Sequence, residues 1–184
     1  MRHDLKNKLS PLYGLAQAGQ SEELLKQLLE LTSFYGVNQE YVNSGNNTID
    51  SIINFKLNSS KNLNISVSTD ILIPENLSLP TFDVAVILGN LLDNAIEAVA
   101  NIDDRWIDIK LRYTKGRLII EINNSYNGKL KKVGSNFVSC KSDKENHGFG
   151  LKSIQAALKN YDGAMQISHD SKKFTVKALL YLCL

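Results

Sequence analysis

The 184 residues, 43% hydrophobic and 22% charged, suit a globular protein with one sizeable domain and a smaller element. The formal charge of +2, with no basic run interleaved with aromatic residues, argues against a nucleic-acid-binding surface. No stretch approaches the ~20 apolar residues of a membrane span, and no signal peptide is recognisable. Because Cys140 and Cys183 are the only cysteines, we expect a reducing compartment rather than a disulfide framework.

Two amphipathic helices open the chain. The first has apolar residues at helical spacing, at Leu5, Leu9, Leu12 and Ala16. The second, for which Ser21 is a suitable cap, repeats the pattern at Leu24, Leu28, Leu31 and Tyr35. A lone hairpin of this size cannot bury its own leucines, so we expect a dimeric four-helix bundle.

A polar, asparagine-rich stretch over residues 36–48 is typical of a linker. The pattern then predicts a helix over 49–59 and an alternating strand over 65–71. We therefore divide the chain into a hairpin with its linker, residues 1–46, and a second domain, residues 47–184.

The stretch Thr81–Val99 is the most strongly patterned part of the second domain, and its wide apolar stripe predicts a helix. Asn90, Asn94 and Glu97 share another face of this helix, and Asp93 lies beside them. Asparagine is a poor helix former, so two in mid-helix need a reason. One reason is that amide oxygens and carboxylates ligate a hard cation that carries a phosphorylated ligand. The alternative is a polar helix edge under a loop.

The remainder alternates between strands and one further helix. Strands are predicted over 107–113 and 118–122, joined by a turn at Lys115–Gly116, and over 165–167 and 174–182. A helix is predicted over 149–161, after a long stretch, 126–146, without periodicity that is typical of a functional or disordered loop. Helices grouped with mainly antiparallel strands predict an α+β fold, in which the helical hairpin precedes an α/β-layered sandwich.

Two further clusters could carry chemistry. His3 and Asn7 share a helix face and Asp4 adjoins the histidine; neutral imidazole is a competent nucleophile that a carboxylate can orient. The alternative is an ordinary surface histidine. The run His147-Gly148-Phe149-Gly150-Leu151 stands where the long loop meets a helix, and its glycines would let backbone amides approach phosphate oxygens. The alternative there is a junction that simply needs flexibility.

Taken in order, RHDLKNKL, LGNLLDNAIEA and NHGFGLKSI resemble the H-, N- and G-boxes of sensor histidine kinases, and most nearly those of the AgrC-like quorum-sensing subgroup. The resemblance implies a dimerisation and phosphoacceptor hairpin followed by an ATP-binding domain of the gyrase/histidine-kinase/MutL type. It implies Mg²⁺ and ATP as ligands, and a second copy and a response-regulator receiver domain as partners. It also implies a membrane sensor segment upstream of Met1, which would make this chain the cytoplasmic output end.

The same resemblance assigns roles to the boxes. His3 is then the phosphorylated residue, Asp4 the base that activates it, and Asn7 the residue that positions water for dephosphorylating the partner. Asn94, helped by Asn90, would hold Mg²⁺. On the nucleotide side, Gly148 and Gly150 would admit the triphosphate, with the rest of the G-box beside them and Lys141 or Lys144 spreading negative charge.

One departure from the family concerns adenine recognition. The usual Asp-x-Gly-x-Gly is absent, and residues 123–128, NNSYNG, stand in its place. Period-two alternation puts Asn124 on the face of Leu118, Ile120 and Ile122, toward the presumed helical layer. We therefore predict that Asn124 contacts adenine, while Asn123 points away with Glu121.

Three other functions fit parts of the pattern. One is a non-catalytic phosphotransferase similar to the sporulation protein SpoB, and another is a dimeric interaction module that binds ATP without using His3. The third is a serine kinase of the anti-sigma-factor type, which needs no histidine hairpin. The presence of both Asn90 and Asn94 with Gly148 and Gly150 argues against a phosphotransferase that lacks a nucleotide site.

Overall fold

The computed structural model describes residues 2–32, 39–77, 79–128, 131–133, 136–138 and 149–182. The chain forms two compact units, residues 1–38 and residues 39–184. In the part of the chain that is described, no helix is long and apolar enough to cross a bilayer.

The first unit is a pair of helices, α1 (Arg2–Gln17) and α2 (Ser21–Thr32). The chain turns between them at Gly19, whose φ of +66° is a conformation that glycine adopts readily. Of the side chains described in this unit, Leu12 is buried. Four larger apolar side chains are 40–66% exposed, namely Leu9, Tyr13, Leu25 and Leu28. The hairpin therefore presents apolar surface that it does not bury itself.

The second unit combines helices with a five-stranded sheet. Its helices are α3 (Asn47–Ser59), α4 (Thr81–Val99) and α5 (Phe149–Lys159). Its strands are β1 (Ser66–Leu72), β2 (Trp106–Thr114), β3 (Arg117–Ser125), β4 (Lys131–Val133), β5 (Asn136–Val138), β6 (Ala164–His169) and β7 (Lys173–Tyr181). The order in the main sheet is β1-β2-β3-β7-β6, with β1 parallel to β2 and every other pair antiparallel.

The three helices cover one face of this sheet, with α4 packed between α3 and α5. Alternate residues of the strands point into the layer between helices and sheet, as period-two patterning requires. The resulting core includes Ile53, Leu88, Leu92, Ile109, Ile120 and Ile154, all at most 2% exposed. This is the layered architecture that the alternation predicted.

The opposite face of the sheet is polar. Asn123 is buried there within a hydrogen-bond network: its Nδ2 donates to Asp108 at 3.1 Å and to Glu121 at 3.1 Å, and its Oδ1 accepts from Thr175 at 2.7 Å. The hydrogen bond from Asn123, followed by the contribution of Lys177, holds the pKa of Glu121 below its usual value, although burial acts in the opposite direction. Asn123 therefore points away from the helices, as predicted from the alternation.

The structure differs from two expectations. The loop predicted over 126–146 contains β4 and β5, which pair antiparallel as a small separate sheet; strands of three residues are too short to show a period in the sequence. The stretch expected as linker is also different from residue 39 onward. Residues 39–46 pack along α3, and Val42 within them is buried in the core.

Helix α5 runs antiparallel to α4, and a tyrosine ties its far end to the start of α4. Tyr161 Oη donates to a carboxylate oxygen of Asp83 at 2.7 Å. Burial, reinforced by this hydrogen bond and by the charge of Asp83, raises the pKa of Tyr161 to about 12.

We predict that Tyr161→Phe lowers the free energy of unfolding by about 1–2 kcal/mol at pH 8, because the phenol loses a hydrogen bond to a charged acceptor. An unfolded tyrosine ionises near pH ~10. Since the folded state holds the proton more tightly, the stabilisation is complete below about pH 10 and is lost as the pH rises toward 12. Urea unfolding at several pH values should therefore show the two proteins converging in this range.

Tyr181→Phe is the matched control for this comparison, because Tyr181 is 46% exposed. It should leave the unfolding free energy within about 0.5 kcal/mol at each pH. A stability difference between Tyr161→Phe and the unmodified chain that persisted at pH 12 would contradict the assigned role of the phenol.

Candidate functional site

The two asparagines of α4 lie half-buried on one side of that helix. Asn90 Nδ2 donates to the carbonyl oxygen of Val86, one turn earlier, at 2.6 Å. A carbonyl can only accept, so the group that faces Val86 must be the amide nitrogen. The amide oxygen of Asn90 is thereby directed away from its own helix backbone.

Gly150, in the first turn of α5, approaches both asparagine oxygens. A Cβ on Gly150 would lie 3.1 Å from Asn90 Oδ1 and 3.8 Å from Asn94 Oδ1. The first of these distances is tighter than an ordinary carbon–oxygen contact, so a residue without a side chain allows this approach. The first N–H groups of a helix have no intrahelical partner and carry partial positive charge. Two amide oxygens are therefore gathered beside a helix N-terminus.

The carboxylate next to the asparagines is engaged elsewhere. Lys56 of α3 reaches across α4 and contacts both oxygens of Asp93, at 2.7 and 2.8 Å. Its Cε lies 3.5 Å from where a Cβ of Gly89 would be. The expectation that carboxylates join the amides as cation ligands is therefore not supported for Asp93, whose charge is neutralised by a lysine. The sequence did not indicate this ion pair, because Lys56 and Asp93 are 37 positions apart and meet only in the folded protein.

Asn124 lies at the end of β3, is 2% exposed, and has its amide orientation determined by a neighbour. Its Nδ2 donates to the carbonyl oxygen of Ser125 at 2.8 Å. Because that carbonyl accepts only, Asn124 must present its oxygen to the rest of its surroundings. This Oδ1 accepts no hydrogen bond from another described residue.

The chain topology brings these groups to one end of the sandwich. Asn124 pairs with Ile107, the second residue of β2, and α4 ends at Val99 shortly before β2 begins. The C-terminal half of α4 and the end of β3 therefore lie at the same end of the helix-covered layer. Gly150 joins them there through its approach to Asn90 and Asn94.

Aromatic rings flank Asn124 on the sheet. Phe174 of β7 is its register partner, and His169 of β6 pairs with Phe174 in turn. The ring of Tyr126 lies 5.7 Å from that of His169 and 6.0 Å from that of Phe174. The alternation in β7 could have indicated that Phe174 lies near Asn124. The cluster of the three rings depends on the order of the strands and was not predicted.

This donor set fits a hard divalent cation, because neutral amide oxygens are among the ligands that Mg²⁺ accepts alongside water and phosphate oxygens. Asn90 and Asn94 are the residues that would hold such an ion. The nearby helix N-terminus suits the anion that would accompany it.

The remaining predicted site residues divide into three groups. Leu151, half-buried beside Gly150, packs against the core. Lys141, His147 and Gly148 lie outside the described residues, as does Lys144. His3, Asp4 and Asn7 belong to α1, but their side chains are likewise outside the described set. The roles of all three groups stay predictions.

A separate cavity of about 230 Å³ opens at the β1 edge of the sheet. It lies between residues 39–41, the end of α3 and the start of β1, and its lining includes Tyr41, Leu57, Lys61 and Val67. None of the predicted site residues lines it.

Comparison with known proteins locates the chain among its relatives. A family model described as a GHKL domain matches residues 79–181. A protein of Halalkalibacterium halodurans named a probable C4-dicarboxylate sensor kinase is 26% identical over 182 residues, covering 91% of this chain and 34% of that protein. A Bacillus subtilis protein with the same name is 29% identical over 134 residues, covering 67% of this chain and 24% of that protein.

Among solved structures, the nucleotide-free catalytic domain of histidine kinase ThkA superposes with a TM-score of 0.57 at 16% sequence identity. The superposition covers 74% of this chain and 91% of that domain. At this level of identity the likeness concerns the fold.

Proposed function

Because the chain belongs to the GHKL domain family, with an ATPase domain of the histidine-kinase type, we propose that it is the kinase part of a two-component sensor histidine kinase. It uses Mg·ATP to phosphorylate its own His3 and passes the phosphoryl group to an aspartate of a response regulator. The chain spans about a third or less of the length of the curated relatives it matches.

The observation that carries this proposal is the approach of Gly150 to the amide oxygens of Asn90 and Asn94. Two separate sequence boxes, some 55 residues apart, meet at the N-terminus of α5. A polar helix edge under a loop would need neither the amide orientation of Asn90 nor a missing side chain at residue 150. An oxygen pair beside unpaired helix N–H groups suits a metal-bound polyphosphate.

Within this site Asn90 and Asn94 would hold Mg²⁺, which when bound neutralises charge on the phosphate oxygens. The first-turn amides of α5 would donate to phosphate oxygens, with Gly148 and His147 of the same box and Lys141 as further contacts. One helix N-terminus and one lysine would balance the negative charge of the triphosphate, and the carboxylate of Asp93 is paired with Lys56.

The orientation of Asn124 supports adenine as the base. Its Oδ1, which accepts no hydrogen bond from another described residue, complements the exocyclic amino group of adenine, whereas guanine presents a carbonyl oxygen at the same position. Two acceptors facing each other cannot form a hydrogen bond. An asparagine can therefore replace the usual aspartate as the acceptor for the amino group without adding negative charge near the triphosphate.

The transfer itself requires mainly positioning. A nitrogen of neutral His3 attacks the γ-phosphorus, the bond to the bridging oxygen breaks, and ADP leaves. Asp4 orients the imidazole, and it stabilises the positive charge that develops on the ring or accepts the ring proton. Asn7 would position the water that later removes the phosphoryl group from the regulator.

Assembly and context follow from the same proposal. The exposed apolar side chains of the hairpin would be buried in a homodimeric four-helix bundle. We assign the chain to the AgrC-like quorum-sensing subgroup on its three boxes, although the curated relatives are named for C4-dicarboxylates. As part of such a sensor it would work on the cytoplasmic side of a membrane and contact a receiver domain.

The test of the proposed function is self-labelling from γ-labelled ATP. We expect the unmodified chain to acquire label that is lost in mild acid, as phosphohistidine is, and His3→Gln to acquire none while it binds ATP normally. Unlabelled but ATP-binding unmodified protein would indicate the interaction module. Acid-stable label on serine would indicate the anti-sigma-factor type, and absent ATP binding would indicate the SpoB-like phosphotransferase.

A second prediction concerns Asn94. Asn94→Ala should lower Mg·ATP affinity and the rate of self-labelling together, by about tenfold or more, because an oxygen ligand is lost from a metal that demands near-octahedral coordination. The fold should persist, since alanine raises helix propensity by roughly half a kcal/mol. Asn94→Asp keeps an oxygen but adds charge near the triphosphate, so metal binding should survive better than nucleotide binding.

Calorimetry with ATP, in the presence and absence of Mg²⁺, measures both effects. Asn101→Ala is the matched control, because Asn101 is exposed just beyond the end of α4. Unchanged Mg·ATP affinity in folded Asn94→Ala protein would refute the metal-binding role of this residue.

A third prediction concerns base selection. Asn124→Leu, close in size but without an acceptor, should reduce the preference for ATP over GTP by about tenfold, the order expected for one hydrogen bond. Asn124→Asp keeps the acceptor and should retain the preference. Competition of each nucleotide against a fluorescent ATP analogue gives the ratio directly. An unchanged ratio in Asn124→Leu would remove this residue from the adenine site.

A further inference from the structure

Residues 39–45 lie along α3 and are held by three polar side chains of that helix. Asp50, Asn54 and Asn58 follow each other at intervals of four residues, so they project from one side of α3. Ile49, Ile53 and Leu57 precede each of them by one position and are buried in the core. We call Asp50, Asn54 and Asn58 the clamp, because each one binds the backbone of the same segment.

Asn58 binds both backbone groups of Gln39, the first residue of the segment. Its Oδ1 accepts from Gln39 N at 2.8 Å and its Nδ2 donates to Gln39 O at 2.8 Å. The same nitrogen also donates to the carbonyl oxygen of Asn54 at 2.8 Å. Asn58 is 4% exposed, so these bonds are made within the protein interior. An amide here satisfies an N–H and a C=O of the segment, as a neighbouring strand would.

The other two clamp residues continue the pattern along the segment. Asn54 Oδ1 accepts from Tyr41 N at 2.8 Å and Val42 N at 3.0 Å, and its Nδ2 donates to Val42 O at 2.8 Å. The Asp50 carboxylate accepts from the N–H and the hydroxyl of Ser44, at 3.0 and 2.6 Å. The clamp therefore binds backbone groups from one end of the segment to the other.

Beyond the clamp, the chain is anchored to the rest of the second unit. Asn46 caps α3 by accepting from Ile49 N at 3.2 Å, and its Nδ2 donates to the carbonyl oxygens of Glu75 and Leu77. On the other side of the segment, the Thr69 hydroxyl of β1 donates to Tyr41 O at 3.4 Å. From Gln39 onward, the chain is thus part of the ATP-binding unit.

We propose that Asp50, Asn54 and Asn58 are positioning residues for phosphoryl transfer, because they determine where the connection from the hairpin joins the ATP-binding unit. With the clamp closed, the connection between Thr32 of α2 and the first bound residue is residues 33–38. The inference rests on the proposed function, since it concerns the encounter of His3 with ATP bound to the other unit.

The length of a connection sets the effective concentration of the two groups it joins, which falls roughly as the −3/2 power of length. Loss of Asn54 and Asn58 frees residues 39–43, because Asp50 still holds Ser44. The connection then becomes nearly twice as long, so the encounter should become about two- to threefold less frequent. The nucleotide site lies on α4, α5 and β3, none of which contributes a clamp residue. The clamp should therefore affect the transfer rate and leave the KM for ATP unchanged.

The experiment uses the full chain with Asn54→Ala and Asn58→Ala combined. Asn43→Ala is the matched control, because Asn43 is an exposed asparagine on the held segment. Chymotrypsin cleavage after Tyr41, followed by mass spectrometry, reports release of the segment without reference to ATP. Single-turnover self-labelling over a range of Mg·ATP concentrations separates the maximal rate from KM.

A second variant tests length alone. About five glycine and serine residues inserted after Gly36 lengthen the connection by the same amount while the clamp stays intact. Should the double variant fail to fold, Asn54→Ala alone removes the side-chain hydrogen bonds to Tyr41 and Val42, so cleavage after Tyr41 still tests whether the clamp holds the segment.

We expect faster cleavage after Tyr41 in the double variant only. The maximal labelling rate should be about two- to threefold lower in both the double variant and the insertion variant, at unchanged KM. Unchanged cleavage would show that these side chains do not hold the segment. Faster cleavage with an unchanged labelling rate would refute the positioning role. If the unmodified chain does not label itself, the proposed function fails and the positioning role with it, while cleavage still tests the clamp.

Discussion

The rotation of α4 about its own axis is the constraint on which the rest of the second unit depends. Ile87, Leu91 and Ala95 are buried against the sheet, and this requirement alone determines where the other faces point. A shift of one residue would rotate the helix by about 100° and carry the asparagine pair into an apolar layer. Burying unpartnered amides would cost several kcal/mol in total. The packing of the core therefore also determines the direction of the asparagine side chains.

The sequence was informative where side chains repeat with a regular period. Period-two alternation identified the main strands and the opposite directions of Asn123 and Asn124, because a strand's faces depend only on its own residues. It could not identify the parallel pairing of β1 with β2, which depends on the path of the chain through α4. It also missed β4 and β5, which have three residues each and are too short for an alternation to be recognised.

The candidate site was predictable to a similar extent. Asn90 and Asn94 were conspicuous because asparagine is unfavourable in mid-helix. The glycines at the loop–helix junction were singled out for phosphate binding, but the approach of Gly150 to the two asparagines was not predicted. The partners were not predictable, since Lys56 and Asp93 meet only through packing of α3 on α4. The contacts of the clamp were not predictable either. Asp50, Asn54 and Asn58 have helical spacing, but residues 39–45 carry no regular pattern that would indicate their packing against α3.

The open face of the sheet has a consequence for how the sequence can change. Only every second side chain of the strands enters the core, so charged residues on the other face meet cross-strand neighbours instead of apolar ones. Lys177 and Glu121, or Arg112 and Asp70, contribute through complementary charge. Such pairs can be exchanged or reversed together at little energetic cost. Half of each strand can thus accumulate substitutions while the helical layer, and the site it carries, stays in place.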